Sequence, residues 1–157
     1  VLNPEWFNGL VSLTSVNFFG NEITHIPRGT CNDSQNLHTL RLNSNRINRL
    51  DSFTRLPVLH IFAIANNRMG AIEPDFFSNF PVLYEFDSVS NNCLSQRVRN
   101  VSQINFEEDT VFNQCFANWL ITTTTSTTTI RTTPSGGVKF TPFASLLSLT
   151  VVFILKV

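Results

Sequence analysis

LHTLRLNSNRINRL, Leu37 to Leu50, decides how this chain folds. Its apolar residues fall at Leu37, Leu40, Leu42, Ile47 and Leu50, with Asn45 in the gap. Leu40 and Leu42 alternate as in a strand, one side chain inward and the next outward. The later spacing fits neither a strand nor a helix. The same frame recurs at Leu13, Val16, Phe18, Asn21, Ile23 and Ile26, and again at Leu59, Phe62, Ile64, Asn67, Met69 and Ile72. A degraded copy follows at Leu83, Phe86, Ser88, Asn91 and Cys93. The asparagines at 21, 45, 67 and 91 are therefore 24, 22 and 24 residues apart. A fixed period in this range marks a solenoid, in which one turn cannot bury its own apolar face and successive turns share a continuous core.

The frame LxxLxLxxNxI at this period resembles the extracellular leucine-rich repeat, over roughly Phe7 to Trp119. The resemblance implies an α/β-type solenoid, a segment of a leucine-rich repeat horseshoe with short parallel strands on its concave face. A second column runs beside the first. Phe7, Phe53 and Phe77 each stand six residues before their repeat's first leucine, and Cys31 holds that place in the second repeat. Rings at one position per turn are expected to stack into a spine, which accounts for part of the 15 phenylalanines. Asn21, Asn45, Asn67 and Asn91 are expected to point inward and bond backbone groups that the tight curve leaves unpaired. Their role is structural.

The formal net charge of +0 over 157 residues argues against a polyanion-binding surface, so no nucleic-acid partner is expected. The chain opens at Val1, and Asn3 to Leu10 reads as the end of a repeat. Since solenoids need polar caps at both ends, the expectation is the C-terminal part of a longer protein, divided into about four repeats (1–92), a cap (93–119), a Thr-rich stalk (120–137) and an apolar tail (138–157).

In such a fold the residues flanking the inward leucines face solvent. One column holds Ser15, Thr39, Ile61 and Glu85, the next Asn17, Arg41, Ala63 and Asp87, and a neighbour Thr14, His38, His60 and Tyr84. Arg41, His38, His60, Ile61, Tyr84, Glu85 and Asp87 are the candidate ligand-binding residues. Tyr and Arg are the types that most often anchor interfaces, with acids at the rim. His38 and His60 sit on adjacent strands, but a zinc site wants three or four ligands and no third joins them, so no metal is expected. Ser, His and Asp occur without a nucleophile elbow to position them, which leaves neither an enzyme nor a cofactor expected. Glu107, Glu108 and Asp109 read as the opening of a short helix in the cap, where acids complement the helix N-terminus.

Cys93 and Cys115 lie 22 residues apart, the second just before Phe116 and Trp119. The resemblance implies that they form the disulfide of an extracellular C-terminal cap, although many such caps carry four cysteines. Cys31, the third cysteine, reads as a buried free thiol. Asn32-Asp33-Ser34 and Asn100-Val101-Ser102 are N-glycosylation triplets.

From Ile121 to Gly137 threonine dominates and no core-forming period remains, the composition of an O-glycosylated stalk. The apolar run from Phe143 to Leu155 is 13 residues long, short of the ~20 that span a bilayer as a helix. Ser135, Gly136 and Gly137 followed by a terminal apolar tail match a GPI-attachment signal, with Ser135 and then Gly136 as attachment residues. Extended back to Phe140, the tail becomes a marginal single span. Both outcomes place the repeats outside the cell. The order of features resembles animal leucine-rich repeat receptors and adhesion proteins, the immune-type ones included. It implies binding of a protein or glycan through the concave face. The alternative is a structural or homophilic adhesive matrix protein with a single-pass anchor.

Overall fold

The computed structural model describes residues 2–106 and 109–125. Glu107, Glu108, Ser135, Gly136 and the tail 138–157 lie outside them. The strands are β1 (Ser15–Asn17), β2 (Thr39–Arg41), β3 (Arg49–Leu50), β4 (Ile61–Ala63), β5 (Ala71–Ile72), β6 (Glu85–Asp87) and β7 (Arg97–Arg99), followed by helix α1 (Thr110–Thr125). One strand per repeat enters a five-stranded sheet of order β1-β2-β4-β6-β7, and β3 pairs with β5 in a separate parallel ladder. The register sets Ser15 beside Thr39, Thr39 beside Ile61 and Ile61 beside Glu85, all in parallel. The middle residue of each repeat strand, Val16, Leu40, Phe62 and Phe86, is buried.

After each of β1, β2, β4 and β6 the backbone reverses through a left-handed residue placed immediately before the frame asparagine. These are Gly20 (φ 72°), Ser44 (φ 58°), Asn66 (φ 55°) and Ser90 (φ 60°). For a residue with a Cβ that conformation costs roughly 1–2 kcal/mol, and only the first repeat avoids it with glycine. The asparagine amides offset the cost. Asn67 donates through Nδ2 to Ile64 O in its own turn (2.9 Å) and to Leu42 O in the preceding one (2.9 Å), while its Oδ1 accepts from Ile47 N (2.9 Å). Asn45 joins Phe18 O, Leu42 O and Ile23 N in the same way, and Asn91 joins Ile64 O, Ser88 O and Met69 N. Asn21 departs from the expectation. It is exposed and bonds only Phe18 O and Phe19 O, because no turn among the described residues covers its far side.

The aromatic column is a cluster rather than a spine. Phe53 reaches Phe62, Phe76 and Phe80, and Phe77 reaches Phe76, Phe86, Phe106 and Phe112, with ring centroids 4.9–6.4 Å apart. Phe76 and Phe80, both buried, fill the space between the turns, so the rings meet mostly edge-on or tilted, the arrangement their quadrupoles favour. At the other end Phe7 meets only Phe18 among the described rings, at 6.1 Å.

The helix expected to be short spans 16 residues and runs on through Thr125, into the stretch read as stalk. Its buried face ties it to three repeats in succession. Phe112 packs on Phe77 and Phe86, Cys115 is bonded to Cys93, Asn118 Nδ2 donates to Gly70 O (2.7 Å) and Trp119 Nε1 to Asp51 Oδ1 (2.9 Å). Arg49 completes the last anchor, bonded to Asp51 and lying 5.7 Å from the Trp119 ring. Thr122 and Thr123 direct their hydroxyls back to Trp119 O, at 2.9 and 3.1 Å, which seats β-branched residues in the last turn.

Replacing Asn67 by Ala is expected to leave the Ile47 N–H without its side-chain partner and to take one of two amide donors from each of the Leu42 and Ile64 carbonyls, at a cost on the order of 1–3 kcal/mol. Asn21→Ala is expected to cost within about 0.5 kcal/mol, as an exposed substitution. Urea midpoints at unchanged slope measure both, and equal losses would mean that burial does not set the weight of these amides.

Candidate binding face

The face of the five-stranded sheet turned away from the core carries the columns that flank Val16, Leu40, Phe62 and Phe86. Arg41 and Tyr84 are exposed, Tyr84 to 48 %, and Ile61 is half-buried. His38 and His60 form a stacked pair across β2 and β4, with ring centroids 5.7 Å apart and planes within 16°. Each ring is fixed by its own backbone, His38 Nδ1 lying 2.7 Å from Asn36 O and His60 Nδ1 2.8 Å from Val58 O. A carbonyl only accepts, so Nδ1 carries the proton and Nε2 is the acceptor in the neutral ring. Among the described residues no group of three or more His, Cys, Asp or Glu side chains is arranged to hold a metal ion.

The acidic end of the face differs from the expectation. Asp87 is 6 % exposed and Glu85 half-buried. The cause is β7, which pairs antiparallel with β6 and sets Arg97 beside Asp87 and Arg99 beside Glu85. Arg97 donates to Asp87 at 2.7 Å and lies 3.5 Å from Glu85, and Arg99 reaches Glu85 at 3.4 Å. The hydrogen bond to Asp87 pushes the Arg97 pKa above its ordinary value, with the charges of Asp87 and Glu85 adding to it. The two carboxylates and the two guanidinium groups therefore balance one another within the sheet, with the guanidinium groups the more exposed partners. Ala63 is buried as well, a small side chain standing in register between Arg41 and Asp87. Sequence reading missed Arg97 and Arg99. The only signal was the alternation Arg97-Val98-Arg99, whose middle residue packs against the core.

The remaining candidates lie elsewhere. Cys93 and Cys115 form a disulfide with a Cα–Cα distance of 5.2 Å. Asn32 is exposed, yet its Oδ1 accepts from the hydroxyl of buried Thr54, and Ser34 two residues on is fully buried. Asn100 is exposed and left-handed (φ 57°), with no capping bond from its side chain. Cys31 is a free, fully buried thiol. No helix among the described residues is long and apolar enough to cross a membrane.

A family model for the leucine rich repeat matches residues 1–47. The match takes in the first frame and the second as far as Ile47, and it supports a leucine-rich repeat protein. Such domains are generally non-enzymatic modules for protein interaction. No curated protein matches the chain.

Burial raises the Cys31 thiol from an ordinary value of 9.0 to about 12. The proton is thus held more tightly in the folded chain, and the stability this contributes is complete below pH 9 and lost as pH climbs toward about 12. In the folded protein at pH 8 Cys31 is expected to resist a thiol reagent, and unfolding without reductant is expected to release one reactive cysteine. Three labelled cysteines would break the pairing of Cys93 with Cys115.

Proposed function

We propose that this chain is a recognition module of the cell surface, binding a protein or glycan ligand through the open face of its repeat sheet. The observation that carries the reading is that Tyr84, Arg41 and the His38–His60 pair are presented outward from strands whose positions are locked by the asparagine amides. Preorganised aromatic and guanidinium groups lose little entropy when a partner docks, which is why such residues dominate interface energetics. The guanidinium group of Arg41 favours a partner that offers carboxylates or other acidic groups. Support for an extracellular setting comes from the Cys93–Cys115 disulfide, since such bonds persist in oxidising compartments. On this reading the chain is held at the membrane through its C-terminal tail, by a glycolipid at Ser135 or Gly136.

Binding to a panel of purified extracellular proteins tests the face. Tyr84→Ala and Arg41→Glu are each expected to weaken the ligand found by about tenfold or more, with Arg28→Ala, outside the sheet, as the neutral control. Unchanged affinity in both variants would remove the sheet face from consideration. Aggregation of beads coated with this chain alone would instead favour the homophilic alternative.

Phosphatidylinositol-specific phospholipase C is expected to release the protein from intact cells, ending near Ser135. A released or retained chain that still carries Val157 would replace the glycolipid with a single span.

A further inference from the structure

A groove of about 720 Å³ is lined by residues of the last repeat and of the C-terminal cap. Phe77 and Phe80 form its floor, buried, while Phe106 and Phe116 are half-buried at its walls. Asp75, Ser78 and Asn113 add polar groups around the rings. Its volume falls among ligand-holding clefts, ~300–1,000 Å³. Partly exposed aromatic rings gather here in one concave patch.

What covers it is indicated by the rim. Val101 and Ser102 line the groove, and they are the second and third residues of the triplet Asn100-Val101-Ser102. Asn100 is thus one residue along the chain from the lining. It is exposed, and its side-chain amide has no hydrogen-bond partner among the described residues. The other triplet differs, because Asn32 is bonded to Thr54 and none of Asn32, Asp33 and Ser34 lines this groove. We propose that the groove is the seat of an N-linked glycan carried by Asn100, its inner N-acetylglucosamine units lying on Phe106 and Phe116. The proposal rests on the extracellular setting argued above. Hexose rings present C–H faces that pack on aromatic rings, while their hydroxyl and acetamido groups suit Asp75, Ser78 and Asn113. The tether makes the contact intramolecular. At an effective concentration in the mM range for a short link, stacking too weak to hold a free sugar becomes the resting state of an attached one. The glycan acts as a covalently bound cover for apolar surface that the cap cannot bury with its own residues.

The test uses the full chain secreted from eukaryotic cells. Glycopeptide mass spectrometry is expected to find Asn100 occupied. Thermal unfolding is then compared between the glycosylated chain, the same chain trimmed by endoglycosidase to one N-acetylglucosamine, and the sugar-free variants Asn100→Gln and Ser102→Ala. Both sugar-free variants are expected to melt about 4 °C lower, a shift readable in a domain of this size, with the trimmed form close to the full glycan. Phe116→Ser and Phe106→Ser can weaken the fold by themselves. The quantity read is therefore the difference between glycosylated and sugar-free forms within each background, which is expected to fall to near zero. An unchanged difference overturns the proposal, and so does an empty Asn100 in secreted protein. Protein found in the cytosol with Cys93 and Cys115 reduced sinks the extracellular reading together with this one, whereas the other two failures leave that reading standing.

Discussion

Each buried frame asparagine joins at least three backbone groups that no strand or helix satisfies, and the fold depends on those bonds. The curve after each strand points carbonyls and an N–H inward, where an unpaired polar group costs on the order of 1–3 kcal/mol. Asparagine meets the need because one amide carries both donors and an acceptor on a short stem. Asn67 uses Nδ2 within its own turn and toward the preceding one, and Oδ1 on the N–H of Ile47. The bonds run between turns as well as within them, so they fix spacing and curvature together. Left-handed Ser44, Asn66 and Ser90 are tolerable only in that setting.

The sheet ends differently from the way it propagates. After three parallel steps, β7 returns antiparallel along β6. An exposed edge of paired-strand geometry invites further pairing, and charged side chains on the last strand are one way to blunt it. Arg97 and Arg99 serve here, and the same two residues neutralise Glu85 and Asp87. Edge protection and the electrostatics of the candidate face are thus one arrangement.

The period made the strands and their columns readable before any coordinates, because register in stacked turns follows from sequence spacing alone. What escaped depended on neighbours rather than spacing. Asn21 occupies the same frame position as Asn67 but has no covering turn among the described residues, so the frame overstates its burial there. Asp87 read as exposed because a three-residue strand such as Arg97–Arg99 gives almost no periodic signal. The phenylalanine column read as a spine because Phe76 and Phe80, which separate the rings, lie outside the repeated frame. The length of α1 was hidden by composition. Threonine is a poor helix former, and the hydroxyl bonds to Trp119 O and the ties to Gly70 and Asp51 that sustain the last turns come only with the fold. The outward columns of the sheet were legible, but the ion pairs that cross them were not.

The path of α1 also decides how the domain bears mechanical load. A tension applied at Thr125 enters through the end of a helix lying along three repeats, not through the last strand. It meets the Trp119–Asp51 and Asn118–Gly70 bonds before it reaches the cystine at Cys115. Those two anchors sit on different repeats and act as successive fuses, each yielding before the disulfide halts further peeling. The strands β4 and β6, with Tyr84 and His60 beside them, lie beyond that stop. Pulling on the C-terminal side would shed the end of the helix while the sheet face kept its shape.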